Sequence, residues 1–178
     1  MTSDQGVYSI GDWVVHVYFG VGQILSKEKM TLEGIRQMYF RIKTENSSYW
    51  LPLAKIDLNR VRPIASKYQI KKALALTRKP PRQLSKDYKV RRKEISQAVN
   101  DISLYSKAKM IRDLHGRRVS DYLNLDEIDQ LKNMKEDFCV EWALVLQINR
   151  KIVEKILDEA LKISIRENKM EKRNHGQQ

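Results

Sequence analysis

The spacing of apolar residues changes period near residue 65, and this divides the chain into two differently built parts. Before that point, short extended runs are punctuated by glycine. Trp13 to Tyr18 is β-branched and aromatic, Gly20 and Gly22 mark a tight corner, and Gln23 to Lys29 continues extended. Gly34 sits in a turn ahead of Gln37 to Thr44, where Met38, Phe40 and Ile42 alternate with Tyr39, Arg41 and Lys43. The polar run Glu45-Asn46-Ser47-Ser48 reads as a hairpin turn into Tyr49 to Leu53.

From Ser66 the pattern is helical. Ser66 and Gln69 form a capping box, Ile70, Ala73, Leu74 and Thr77 share a face, and Pro80-Pro81 stops the helix. A second helix is expected from about Ser85 to Val99, stacking Tyr88, Arg91, Ile95 and Val99 on one side. Asp101 is placed to cap a third, ended by Gly116, with Ile102, Tyr105, Ala108, Ile111 and Leu114 inward and Lys107, Lys109 and Arg112 outward. Asn124 and Glu127 open a fourth through Val145, and Asn149 can restart a fifth. The expected fold is α+β: a small Tudor/SH3-like β-barrel domain over residues 1–65, an all-α helical bundle over 66–165, and a disordered tail over 166–178.

Charge separates the same parts. Residues 1–65 hold 8 Lys/Arg against 6 Asp/Glu, residues 66–118 hold 16 against 4, and residues 119–178 hold 10 against 12. The whole net charge of +12 therefore comes from the central segment, as expected of a surface that neutralises phosphates. No apolar run is long enough to span a membrane and no signal peptide opens the chain, so a cytoplasmic protein without a membrane partner is expected. Cys139 is the sole cysteine and reads as a small apolar core residue. His16, His115 and His175 lack metal-ligand spacing, Gly20-Val21-Gly22 lacks the rest of a dinucleotide motif, and the carboxylates are scattered. The expectation is a non-enzyme without metal or cofactor.

The run Ile10-Gly11-Asp12-Trp13-Val14-Val15-His16 followed by Gly20-Val21-Gly22 resembles the polymerase-interaction domain shared by CarD/CdnL proteins and the transcription-repair coupling factor. The resemblance continues through Trp50-Leu51-Pro52, Val61-Arg62-Pro63-Ile64, Lys109 to Leu114 and Lys155 to Ala160. It implies a transcription regulator of bacterial type, monomeric and nucleoid-associated. The β domain would bind the RNA polymerase β subunit. The helical domain would hold promoter DNA at the upstream edge of the bubble and stabilise the open complex.

The candidate DNA contacts are Lys79, Arg82, Leu84, Lys86, Lys89, Arg92 and Lys93, and the candidate polymerase contacts are Lys27, Lys29, Met30 and Trp50. Two of these have a second reading. Leu84 stands where the family typically carries a wedging tryptophan, so it is either a minor-groove wedge or an apolar residue tucking its loop onto the bundle. Trp50 is either exposed or core. A different class of function, a stand-alone DNA- or RNA-binding protein, would extend its basic surface over both domains.

Overall fold

The structure, a computed structural model, describes residues 8–32 and 34–175. It is α+β, with two compact units that divide between Ile64 and Ala65.

In the first unit, strands β1 (Trp13–His16), β2 (Gly20–Leu32), β3 (Ile35–Thr44), β4 (Ser48–Pro52) and β5 (Val61–Pro63) form an antiparallel sheet in the order β4-β3-β2-β1-β5. The corner between β1 and β2 uses Gly20 at φ 69°, a left-handed conformation that favours glycine. The β3–β4 turn closes as its polar sequence implies: the Thr44 N–H donates to the Ser47 carbonyl at 2.9 Å. Alternation puts Phe40, Ile42, Tyr49 and Leu51 into one core with Tyr8, Val14, Ile24 and Val61. Met38, in phase with Phe40 and Ile42, is instead exposed, because β3 there runs beyond the end of β4.

The second unit contains helices α1 (Lys67–Arg78), α2 (Tyr88–Asn100), α3 (Leu104–Ser120), α4 (Leu125–Leu146) and α5 (Arg150–His175). Both capping boxes form, Ser66 with Gln69 and Asn124 with Glu127. Asn149 starts α5, its side chain accepting from the Lys151 N–H at 2.8 Å. The helix continues to His175, across most of the stretch expected to be a tail, and residues 176–178 lie outside the described residues.

Several local expectations are corrected. α2 begins at Tyr88 rather than about Ser85, and Asp87 caps it, accepting from the N–H groups of Lys89 and Val90. Ser103 caps α3, while Asp101 accepts from the Ser103 N–H and the Ser106 hydroxyl. Gly116 does not end α3, which continues to Ser120; a Cβ at that position would lie 2.4 Å from Pro81 Cβ. Close approach of the proline turn, not chain reversal, therefore demands this glycine. Lys107 points inward: it is 5% exposed, and its Nζ donates to Asp137 at 3.0 Å.

Candidate nucleic-acid interface

The basic surface is built on a loop and one helix. α1 ends at Arg78 with Lys79 as its C-cap, whose carbonyl accepts from the Ser164 hydroxyl at 2.6 Å, and Pro80-Pro81 then turn the chain. The Arg82 N–H donates to Asp113 Oδ1 at 2.9 Å, while its guanidinium reaches Glu94 at 3.4 Å and Asp113 at 3.7 Å. Further on, Arg91 holds the loop from below, donating through Nη1 to the carbonyls of Ser85 at 2.8 Å and Lys86 at 3.0 Å. The Nε–H of Arg91 donates to Glu127, the same residue that closes the α4 capping box. Both members of this ion pair are buried.

α2 thus has an unusual anchorage. Arg91 and Ile95 are its only fully buried residues, so the helix is fixed as much by polar bonds as by apolar area. Its remaining surface carries Lys89, Arg92 and Lys93, next to Lys86 of the loop, all exposed. Of the sixteen Lys/Arg in residues 66–118, Arg91, Lys107, Arg112 and Arg117 are wholly or partly buried and ion-paired, and the other twelve are exposed. The acidic residues of the segment are mostly turned inward: Asp113 is buried, Glu94 and Asp101 are half-buried, and Asp87 alone is exposed. Such a surface attracts polyanions and releases their counterions.

The candidate DNA residues therefore separate. Lys79, Lys86, Lys89, Arg92 and Lys93 are exposed on this surface, and Arg82 is exposed but tied to Glu94 and Asp113. Leu84 is corrected: it is 2% exposed within the helical core, so of its two readings the packing one holds and no leucine wedge projects. The exposed ring here is Tyr88 at 45%, expected to face inward but standing at the first turn of α2, with the Arg91 guanidinium 5.8 Å from its centroid. Its position in the helical stripe suggests burial, but it is the first residue of α2 and its ring is exposed.

On the sheet unit, the four polymerase candidates fall on two faces. Ser26, Glu28 and Met30 share one face of β2, and Arg41 pairs with both Ser26 and Trp50. Trp50 is 41% exposed, not core, and its Nε1–H donates to Glu28 Oε2 at 2.8 Å. Glu28 Oε1 also accepts from the Ser26 hydroxyl at 2.8 Å and lies 3.9 Å from Arg41. These bonds, with Trp50's first, hold the Glu28 carboxyl below its ordinary range. Lys27 and Lys29 lie on the opposite face, where Lys27 Nζ is 5.4 Å from the Phe40 ring centroid. The sequence reading missed Glu28 and Arg41, whose part depends on cross-strand register. The ladder of β1 on β2 covers Gly20 to Gln23, so the far half of β2 has no partner on that side among the described residues. It offers a free strand edge.

Among the described residues no cluster of His, Cys, Asp and Glu could hold a metal ion, and no helix is long and apolar enough to cross a membrane. Cys139 is buried and its thiol is pushed up to about 12, mainly by burial.

Comparison with known families follows the same two units. Residues 8–65 match the family described as CarD-like/TRCF RID domain, and residues 72–158 match the family described as CarD, C-terminal domain. No curated protein matches the chain significantly.

Proposed function

The chain belongs to the CarD family of RNA polymerase-interacting transcription regulators, and we propose that it acts by binding the polymerase β subunit with its sheet unit while its helical unit holds promoter DNA. On the sheet side, the free edge of β2 adds to a strand of the partner, and the Trp50–Glu28–Arg41 ladder with Met30 supplies side-chain specificity. On the helical side, Lys79, Lys86, Lys89, Arg92 and Lys93 meet backbone phosphates, and the exposed ring of Tyr88 stands against the groove between them.

The observation that carries this reading is the segregation of exposed cations. The helical unit shows a dozen from one 53-residue segment, whereas the sheet segment is nearly balanced at 8 against 6. A stand-alone nucleic-acid binder has no need to keep one of its two units near neutral. Tethering by protein contact raises the local concentration of the helical unit at DNA, so weak, sequence-independent phosphate contacts suffice to prolong the open complex.

The test is a pair of binding titrations on the full chain, one with the purified polymerase β subunit and one with promoter duplex. The expected pattern is saturable binding to both, with only the DNA branch weakening steeply as salt is raised. Absence of β-subunit binding at physiological salt contradicts the reading.

A further inference from the structure

Between the proline turn and the end of α3, the helical unit contains an open cleft of about 470 Å³, a volume in the range of small-ligand sites. Pro81, Leu84 and Gly116 form its apolar floor, where the contact of Gly116 with Pro81 lets the loop lie against the helix. Its walls carry the cations Arg82, Lys86 and Arg117 and the side-chain amides of Gln83 and Asn168. Asp121 is the one acidic lining residue.

Arg117 is the distinctive group. Its side chain is 14% exposed, and Nη2 pairs with Asp121 at 3.0 Å. Its Nε is fully buried and has no hydrogen-bond acceptor among the described residues. A buried charged donor without an acceptor is costly, and this Nε lies beside the Nη2 that Asp121 holds, so an oxyanion bound here shares the guanidinium with that carboxylate. Asp121 and the carbonyl end of α3 oppose an anion here. Against them stand Arg117 and Lys86, both close enough to act on the Asp121 carboxyl, with Arg82 on the same wall. Arg82 is also tied to Glu94 and Asp113, so the charge facing an anion here rests chiefly on Lys86 and Arg117.

We propose that this cleft is a phosphate-binding site, with the Arg117 fork as its hydrogen-bonding anchor, Lys86 as its mobile counter-charge, and the amides of Gln83 and Asn168 as neutral donors. The phosphate has two possible sources of one chemistry: a backbone phosphate of DNA lying on the adjoining α2 surface, or the phosphate of a free nucleotide. The site does not depend on the DNA reading, since a small phosphate can be tested alone.

The experiment follows the Arg117 Nε–H resonance of the ¹⁵N-labelled full chain in titrations with pyrophosphate, with ADP and with a short duplex. A saturable shift with pyrophosphate is expected. Arg117→Lys, which keeps charge but loses the fork, should weaken pyrophosphate binding about tenfold or more, and the surface substitution Lys86→Gln by about threefold. Melting curves establish that each variant is folded, and Lys86→Gln serves if Arg117→Lys is not. A shift with duplex as well identifies the backbone as the source; a shift with pyrophosphate and ADP alone identifies a free nucleotide. No saturable response to any of the three, with duplex still bound elsewhere, overturns the site and leaves the DNA reading intact. A pyrophosphate response without any duplex binding does the reverse.

Discussion

The sheet unit and the helical unit are held together by different means. In the sheet unit the core is apolar, and His16 is the only residue among the described buried polar and charged side chains that belongs to it. The helical unit contains all the others: Thr77, Arg91, Lys107, Asp113, Glu127, Glu141 and Ser164. Each of these that carries charge is paired or bonded, as when Glu141 accepts from the Ala65 N–H at 2.9 Å. The difference follows from what each unit must leave outside. A helix whose outer surface is basic has few positions left for apolar anchors, and α2 has one fully buried apolar residue, Ile95. Its second anchor is an arginine turned inward onto Glu127. Buried ion pairs are a weak source of net stability but a strong constraint on geometry once present, because either partner alone is penalised.

The sharpest way to break this comparison is Arg91→Met. It leaves Glu127 buried without its cation and the Ser85 and Lys86 carbonyls without a donor, and should destabilise the helical unit by about 3–5 kcal/mol. Amide hydrogen exchange should show the loss in α2 and α4 while β1 to β5 are unaffected. Adding Glu127→Leu should recover part of it. An Arg91→Met protein as stable as the wild type would mean the pair is not an anchor.

Replacing Lys86, Lys89, Arg92 and Lys93 together by glutamine has the opposite character. These exposed side chains should change stability by less than about 0.5 kcal/mol each. The slope of log affinity for duplex DNA against log salt should fall by about three to four units, close to 0.9 for each phosphate no longer neutralised. An unchanged slope would remove this surface from DNA binding.

On the sheet unit, Trp50→Ala should cost about 2 kcal/mol in affinity for the polymerase β subunit, roughly thirtyfold, with little change in melting temperature. Duplex affinity should stay at the wild-type value. A fall in stability matching the fall in affinity would assign Trp50 to packing.

The smallest expected effect is on protonation, and here the two units should behave alike. Burial, then Arg60, holds His16 below the ordinary imidazole value against the opposing Asp57, and burial, then Lys135 and Arg118, does the same for His115 against Asp158. A folded-state value below the unfolded one of about 6.5 means that the unfolded chain binds the proton first on acidification. The contribution of each histidine to stability is therefore complete above about pH 6.5 and is lost as the pH falls toward its folded-state value. Imidazole resonances titrating at or above the ordinary value would contradict this.

The sequence displays most of what is local. The change from alternation to helical spacing, the two capping boxes, the restart at Asn149 and the inward apolar faces all rest on residues within one or two turns of each other. Features set by distant chain are not legible. Gly116 looks like a helix stop, but its neighbour is Pro81. Lys107 looks like part of the basic face, but Asp137 draws it inward. Leu84 suits groove or core equally until the bundle closes around it. The Arg91–Glu127 pair joins residues 36 positions apart, and each has a plausible local role that hides the shared one. At the candidate sites, exposed cations can be read from composition, whereas the Trp50–Glu28 bond spans 22 positions and needs the sheet register.

The most direct measurement of the central claim is the lifetime of the polymerase–promoter open complex in a competitor chase, with the wild-type chain, Trp50→Ala and the four-glutamine variant compared at one protein concentration that just suffices to saturate the wild-type response. The expected result is a longer lifetime with wild type and loss of that gain in each variant, with Trp50→Ala still binding duplex and the four-glutamine variant still binding the β subunit. A four-glutamine variant that has lost duplex binding yet prolongs the complex as well as wild type would contradict the claim that the basic helical surface acts on promoter DNA.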